Sequence, residues 1–153
     1  MRRLVLLAAL LSLAAPAHAN PGANPGAALA DALERNGIQV RYDTGRCRLP
    51  GVLGSYNLAR RLITLCPAKM RSARQLFHVL AHEAVHAAQH CAGVNTILST
   101  QEITPSVTDA DLDTLHLYKP HERAAELEAN VLSRNALAPG GEALLIRLID
   151  TAC

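Results

Sequence analysis

Tryptophan is absent from this chain, and three tyrosines and one phenylalanine are its only aromatic residues. Aromatic rings bury the most area per side chain. Without them leucine, alanine and valine must build the core, and covalent staples gain in importance. Cysteine is scarce but even in number: Cys47, Cys66, Cys91 and Cys153. None stands in a CxxC pair, which argues against a cysteine-only zinc site. The N-terminal apolar run, Leu4 to Ala15, falls short of the roughly 20 residues that a membrane-spanning helix needs. An excess of one charge is missing too. The formal net charge of +2 includes Arg2 and Arg3, and the rest of the chain carries as many basic as acidic residues. That removes the electrostatic argument for nucleic acid as a partner.

What is present at the N-terminus is the pattern of an export signal. Arg2 and Arg3 precede the apolar run, and Ala17-His18-Ala19 is a small-x-small cleavage site. Residues 1–19 are therefore expected to be a signal peptide cleaved after Ala19, leaving a secreted or periplasmic protein. No cysteine follows the run closely enough for a lipid anchor, so no stable membrane attachment is expected after cleavage. Asn20 to Gly26 repeats Asn-Pro-Gly and reads as a flexible leader. Residues 27–153 then form one domain of ordinary size. Four cysteines in an exported chain predict two disulfides, with Cys47–Cys66 and Cys91–Cys153 the expected pairing. Charge is uneven along the domain. The stretch from Arg35 to Arg74 is strongly basic and that from Glu102 to Glu128 strongly acidic, so the two are expected to face each other.

The hydrophobic pattern changes period midway. Ala27 to Arg35 reads as a short helix stopped by Asn36-Gly37. Ile38 to Tyr42 alternates and reads as a strand, as does Leu62 to Leu65, with loop over Arg46 to Gly54. Ser72-x-x-Gln75 is a capping-box signature that opens a long helix ended by Gly93. A polar loop from Asn95 to Thr108 follows, then a short helix over Asp109 to Leu117. A second long helix runs from His121 to Leu137 after Pro120, and a last one from Glu142 to Thr151.

The first long helix carries FHVLAHEAVHAAQH, residues 77–90, with four of the chain's seven histidines. Within it His82-Glu83-Ala84-Val85-His86 is an HExxH motif, which a chain of this composition produces by chance only about 0.014 times. Residues i and i+4 share a helix face, so both imidazoles can reach one zinc ion. Glu83 stands beside them, placed to take a proton from a zinc-activated water. His90 cannot join His82 on one ion, because the two lie about 12 Å apart along a straight helix. His78 and His90 are expected to be supports or bystanders, and Gln89 to orient His86 or bind a loop. A third protein ligand is still required. The pattern HExxHxxGxxH fails, since Gln89 and Ala92 occupy its last positions. The second long helix offers Glu122 and Glu126 on one face, beside a stripe of Ala125, Ala129, Leu132 and Ala136 suited to close packing. Glu128 is about 200° from Glu126 and faces elsewhere. Helix geometry alone does not choose between Glu122 and Glu126.

HEAVH followed by Glu126-x-x-Ala129-Asn130 resembles the gluzincin zinc metallopeptidases, most of all compact ImmA/IrrE-like members with a Glu-x-Glu-Ala-Asn helix. The resemblance spans residues 56–135. It implies an α+β, mostly helical zincin-like fold with a small N-terminal sheet, zinc as cofactor, and Glu126 as third ligand beside His82 and His86. It also implies a peptide or protein substrate laid along an edge strand, for which Arg61 to Leu65 is the expected segment. The family's transition-state donor has no evident counterpart; Tyr118 and His116 are the candidates. The expected activity is peptide-bond hydrolysis with Glu83 as general base. The alternative is a non-catalytic zinc-binding or partner-binding module on the same fold.

Overall fold

The computed structural model describes residues 26–153, so the expected signal peptide and all of the expected leader except Gly26 lie outside the described residues. Nine elements follow in chain order: α1 (Ala27–Arg35), β1 (Gln39–Tyr42), β2 (Gly54–Asn57), β3 (Leu62–Leu65), α2 (Ala73–Ala92), α3 (Thr100–Ile103), α4 (Asp109–Thr114), α5 (Arg123–Ala136) and α6 (Gly141–Ala152). Short 3-10 turns join several of them. The class is α+β.

The sheet has the order β1-β3-β2. β1 runs parallel to β3, with Val40 opposite Ile63, and β2 runs antiparallel to it, with Tyr56 opposite Ile63. The central position of β3 explains its composition. Ile63, Thr64 and Leu65 are all buried, so both faces of this strand are covered where it is paired on both edges. This corrects the expected substrate strand. Arg61 to Leu65 has no free edge, and the edges belong to β1 and β2. β2 lies in the span where no strand was expected, because Gly54-Ser55-Tyr56-Asn57 has one large apolar residue in four and its pairing with β3 decides its conformation.

α2 is the centre of the molecule and packs against α5, α6, β2 and β3. Ser72 caps its start, the hydroxyl accepting from the Gln75 N–H at 3.1 Å, while the Gln75 side chain accepts from the Arg71 N–H. Gly93 ends it in the left-handed conformation, φ 67°, which glycine adopts without penalty. The alanines Ala81, Ala84, Ala87 and Ala88 of α2 meet Ala129 and Ala136 of α5 in the core, which lets the two helices approach closely. α1 closes on α6: the Leu29 N–H donates to Glu142 and the Asn36 amide donates to Asp150 at 2.8 Å. Gly26, last residue of the expected leader, is buried at the start of α1.

Two disulfides, Cys47–Cys66 and Cys91–Cys153, take the expected pairing, and no cysteine is free. The first ties the turn after β1 to the end of β3, and the second ties the end of α2 to the end of α6. Both fit an oxidising compartment. Among the described residues no helix is long and apolar enough to cross a membrane.

Two other expectations change. α5 starts at Arg123 rather than next to Pro120, because residues 119–122 form a turn in which the Glu122 carboxylate accepts from the Lys119 N–H. The polar loop contains α3, whose capping box joins Ser99 and Glu102.

Candidate metal centre

α2 presents His82 and His86 one turn apart, and α5 brings Glu126 over them from its first turn. The two Nε2 atoms lie 3.1 Å apart. Glu126 Oε2 is 3.3 Å from Nε2 of His82, and its Oε1 is 3.4 Å from Nε2 of His86. The three ligand atoms thus form a small triangle, and all lie within 4.8 Å of one another. A tetrahedral zinc ion with bonds of about 2.1 Å needs ligand atoms about 3.4 Å apart, so the donor set and its spacing fit zinc. A second observation agrees. Glu126 Oε2 is buried with no hydrogen-bond partner, the His82 contact being misaligned for one. An orphaned carboxylate oxygen at this point wants a cation.

The alternative acid, Glu122, is not brought to the triangle. It stands at the N-cap position of α5 with its carboxylate turned back to the Lys119 N–H, is more exposed, and lies beside His121. His116, one of the two candidate donors, is exposed and turned to the backbone of Asp113. Tyr118, the other, lines the same cleft as the triangle, close enough to Glu126 for that carboxylate to raise its pKa.

The cleft holds about 600 Å³, with His82, Glu83, His86 and Glu126 at its floor and Tyr56, Leu58, Val94 and Tyr118 among its walls. Arg46 also lines it, as does Glu122, but among the described residues no ion pair joins the basic stretch to the acidic one.

Electrostatics separates the carboxylates. Glu83 is 8% exposed. Burial pushes its carboxyl above the usual range, against the pull of His82, His86 and the Tyr56 backbone N–H, and with help from the Glu126 charge. Burial acts on Glu126 in the same sense, but the close contacts and charge attraction with His82 and His86 win and hold it at about 2. The His86 ring is opposed by burial, yet Glu126 and Gln89 raise it above its ordinary value. Tyr118 is pushed up to about 12, by burial first and then by the Glu126 carboxylate.

The two remaining histidines of α2 tie it to its neighbours. His78 bonds the Ser133 hydroxyl of α5 at 3.1 Å, and burial lowers its basicity. His90 bonds the Tyr56 hydroxyl at 2.8 Å and so ties the end of α2 to β2. Sequence reasoning missed β2 altogether. Gly54 lies so close to α2 that a Cβ there would sit 2.5 Å from Val79 Cγ1 and 3.1 Å from Glu83 Oε1. It also set Glu128 aside. That carboxylate is fully buried and receives hydrogen bonds from Gln89 at 2.8 Å, Leu98 N–H at 2.6 Å and Ile97 N–H at 2.9 Å. The signal that could have found it was a third acid on a helix with only one solvent-facing side.

No protein-family model, no curated protein and no solved structure matches this chain.

Proposed function

We propose that this chain is an exported zinc-dependent metallopeptidase with a zincin-like active site. The observation that carries the reading is the His82–His86–Glu126 triangle with a buried, proton-hungry Glu83 beside it at the floor of an open cleft. His82, His86 and Glu126 would hold zinc. The ion supplies Lewis acidity, which acidifies a water and polarises a carbonyl.

The chain's own residues supply the rest. A peptide extends along β2, the strand edge that borders the cleft. In the antiparallel ladder, the Cys66 N–H to Leu53 carbonyl bond marks one close pair. Alternation from it turns the backbone groups of Gly54 and Tyr56 away from β3. One of them, the Tyr56 N–H, reaches Glu83, and the others are free to bond a substrate backbone. Glu83 takes a proton from the attacking water as its oxygen bonds the scissile carbon. It then delivers that proton to the departing amine as the C–N bond breaks. Tyr118, which stays protonated at neutral pH, donates its hydroxyl hydrogen to the carbonyl oxygen as negative charge develops there. Tyr118 thus supplies a candidate for the transition-state donor that had no evident counterpart in the sequence.

The test is Glu83→Gln. Zinc content should be unchanged, and cleavage of an unfolded protein should fall by about 10²–10⁴-fold. Cleavage at the wild-type rate by Glu83→Gln, or cleavage indifferent to chelator, defeats the reading.

A further inference from the structure

Behind His86 runs a chain of hydrogen bonds that ends on a buried carboxylate. Gln89 Nε2 donates to Glu128 Oε2 at 2.8 Å and to the Ala125 carbonyl at 3.2 Å. Both partners are acceptors with no hydrogen to give back, so the amide nitrogen belongs on that side. The amide oxygen then points the other way, and it lies 2.9 Å from His86 Nδ1. An oxygen at that distance accepts, which requires the hydrogen of the neutral ring to sit on Nδ1. Nε2 keeps its lone pair, and Nε2 is the atom that faces His82 and Glu126. Glu128 is itself fixed from behind by the Ile97 and Leu98 N–H groups. These follow Val94 and Asn95, which line the cleft.

We propose that Glu128, acting through Gln89, is a positioning residue that fixes the tautomer of His86 and thereby its fitness as a metal ligand. The inference rests on the reading of the triangle as a zinc site, but its first test does not. A carboxylate is needed at 128 because it has no donor of its own: it can orient the Gln89 amide in one sense only. Partners of this kind behind a ligating imidazole typically change metal affinity by about 10–100-fold when removed.

Long-range nitrogen–proton correlation on the metal-free protein, at a pH where the imidazoles are neutral, reads the tautomer directly. His86 should carry its hydrogen on Nδ1. A wild-type His86 with its hydrogen on Nε2 overturns the proposal without any variant. Glu128→Gln keeps an oxygen for Ile97 and Leu98 but turns an NH₂ group on Gln89. The Gln89 amide is driven to flip, His86 should shift toward the Nε2–H form, and zinc affinity measured by chelator competition should fall about 10–100-fold. The exchange Gln89→Glu with Glu128→Gln again sets an acceptor on His86 Nδ1 and a donor–acceptor pair behind it, giving up only the longer bond to the Ala125 carbonyl. It should return zinc affinity to within about threefold of wild type while the thermal midpoint of either variant serves as the folding control. Equal zinc affinity in wild type and Glu128→Gln, or a folded exchange variant that recovers nothing, overturns the proposal. Should the wild-type protein take up no zinc, the metallopeptidase reading falls alone, and the tautomer measurement still decides the role of Glu128.

Discussion

Glu83 and Glu126 line one cleft and hold protons with very different strength. Each is largely withdrawn from water, and burial alone would make both weak acids. Two imidazoles hold Glu126 at about 2, whereas Glu83 stays above the ordinary carboxylate range. A pair of carboxyl groups pushed apart in this way divides the labour: one stays charged to bind, the other exchanges protons. The pH–rate profile of cleavage should therefore lose activity on the acid side at a pH above the ordinary glutamate value of 4.5, because Glu83 must be deprotonated to act. An acid limb at or below that value contradicts the assignment. Gly54 is the other critical residue. Gly54→Ala places a methyl group against Val79 and Glu83 and should cost about 1–3 kcal/mol of stability, with a matching loss of cleavage, as thermal melts and rate assays would show. At this scale the sequence was most legible where spacing carries the chemistry, as in His82, Glu83 and His86. It was least legible where a residue works by contact with another element. Glu128 looked idle because its angle on α5 points away from Glu126, and only the path of α2 shows that Gln89 waits there. The choice between Glu122 and Glu126 likewise depended on where α5 begins.

Among the elements, helices announced themselves and strands did so unevenly. Apolar spacing and caps defined α2 and α6 closely, since a helix satisfies its own backbone. β3 was visible as an apolar run. β2 was not, because a short edge strand is chosen by its neighbour and by the helix it touches. That omission misplaced the free edge by one strand. Between α4 and α5 a polar latch does what apolar packing does elsewhere. Arg134 bonds both oxygens of Asp111 at 2.5 Å and reaches the Ser106 carbonyl, and Asp111 accepts from Thr108 as well. Burial of Asp111 opposes ionisation, but Arg134 and Thr108 outweigh it and hold the carboxyl below its ordinary value. A folded value below the unfolded one stabilises above the unfolded value, and the benefit is lost as pH falls through the folded one. Asp111→Asn should thus cost about 1–3 kcal/mol near neutral pH. The difference from wild type should shrink in melts taken toward pH 3. A penalty that grows with acidity would contradict the latch.

The whole molecule compensates for its lack of aromatic residues with covalent closure. Cys91–Cys153 joins positions 62 residues apart, which in the chain-entropy view contributes about 4 kcal/mol. Reducing the disulfides should lower the thermal midpoint by more than about ten degrees for a domain of this size. A reduced protein that melts with the oxidised one would mean that the helices alone carry the fold. Two disulfides were legible from the expected export signal and the even cysteine count, and their pairing from Cys47 and Cys66 flanking a short strand and Cys153 ending the chain. The closure of α1 on α6 was not, because contacts between distant segments leave no local pattern. α2 packs against α1, α5, α6, β2 and β3, so its middle amides should be among the last to exchange with deuterated water, at a rate set by global unfolding. Two of the three proposed ligands ride on that slowest helix. Ion loss would then leave behind a vessel already in shape, and refilling it would be a matter of diffusion rather than refolding.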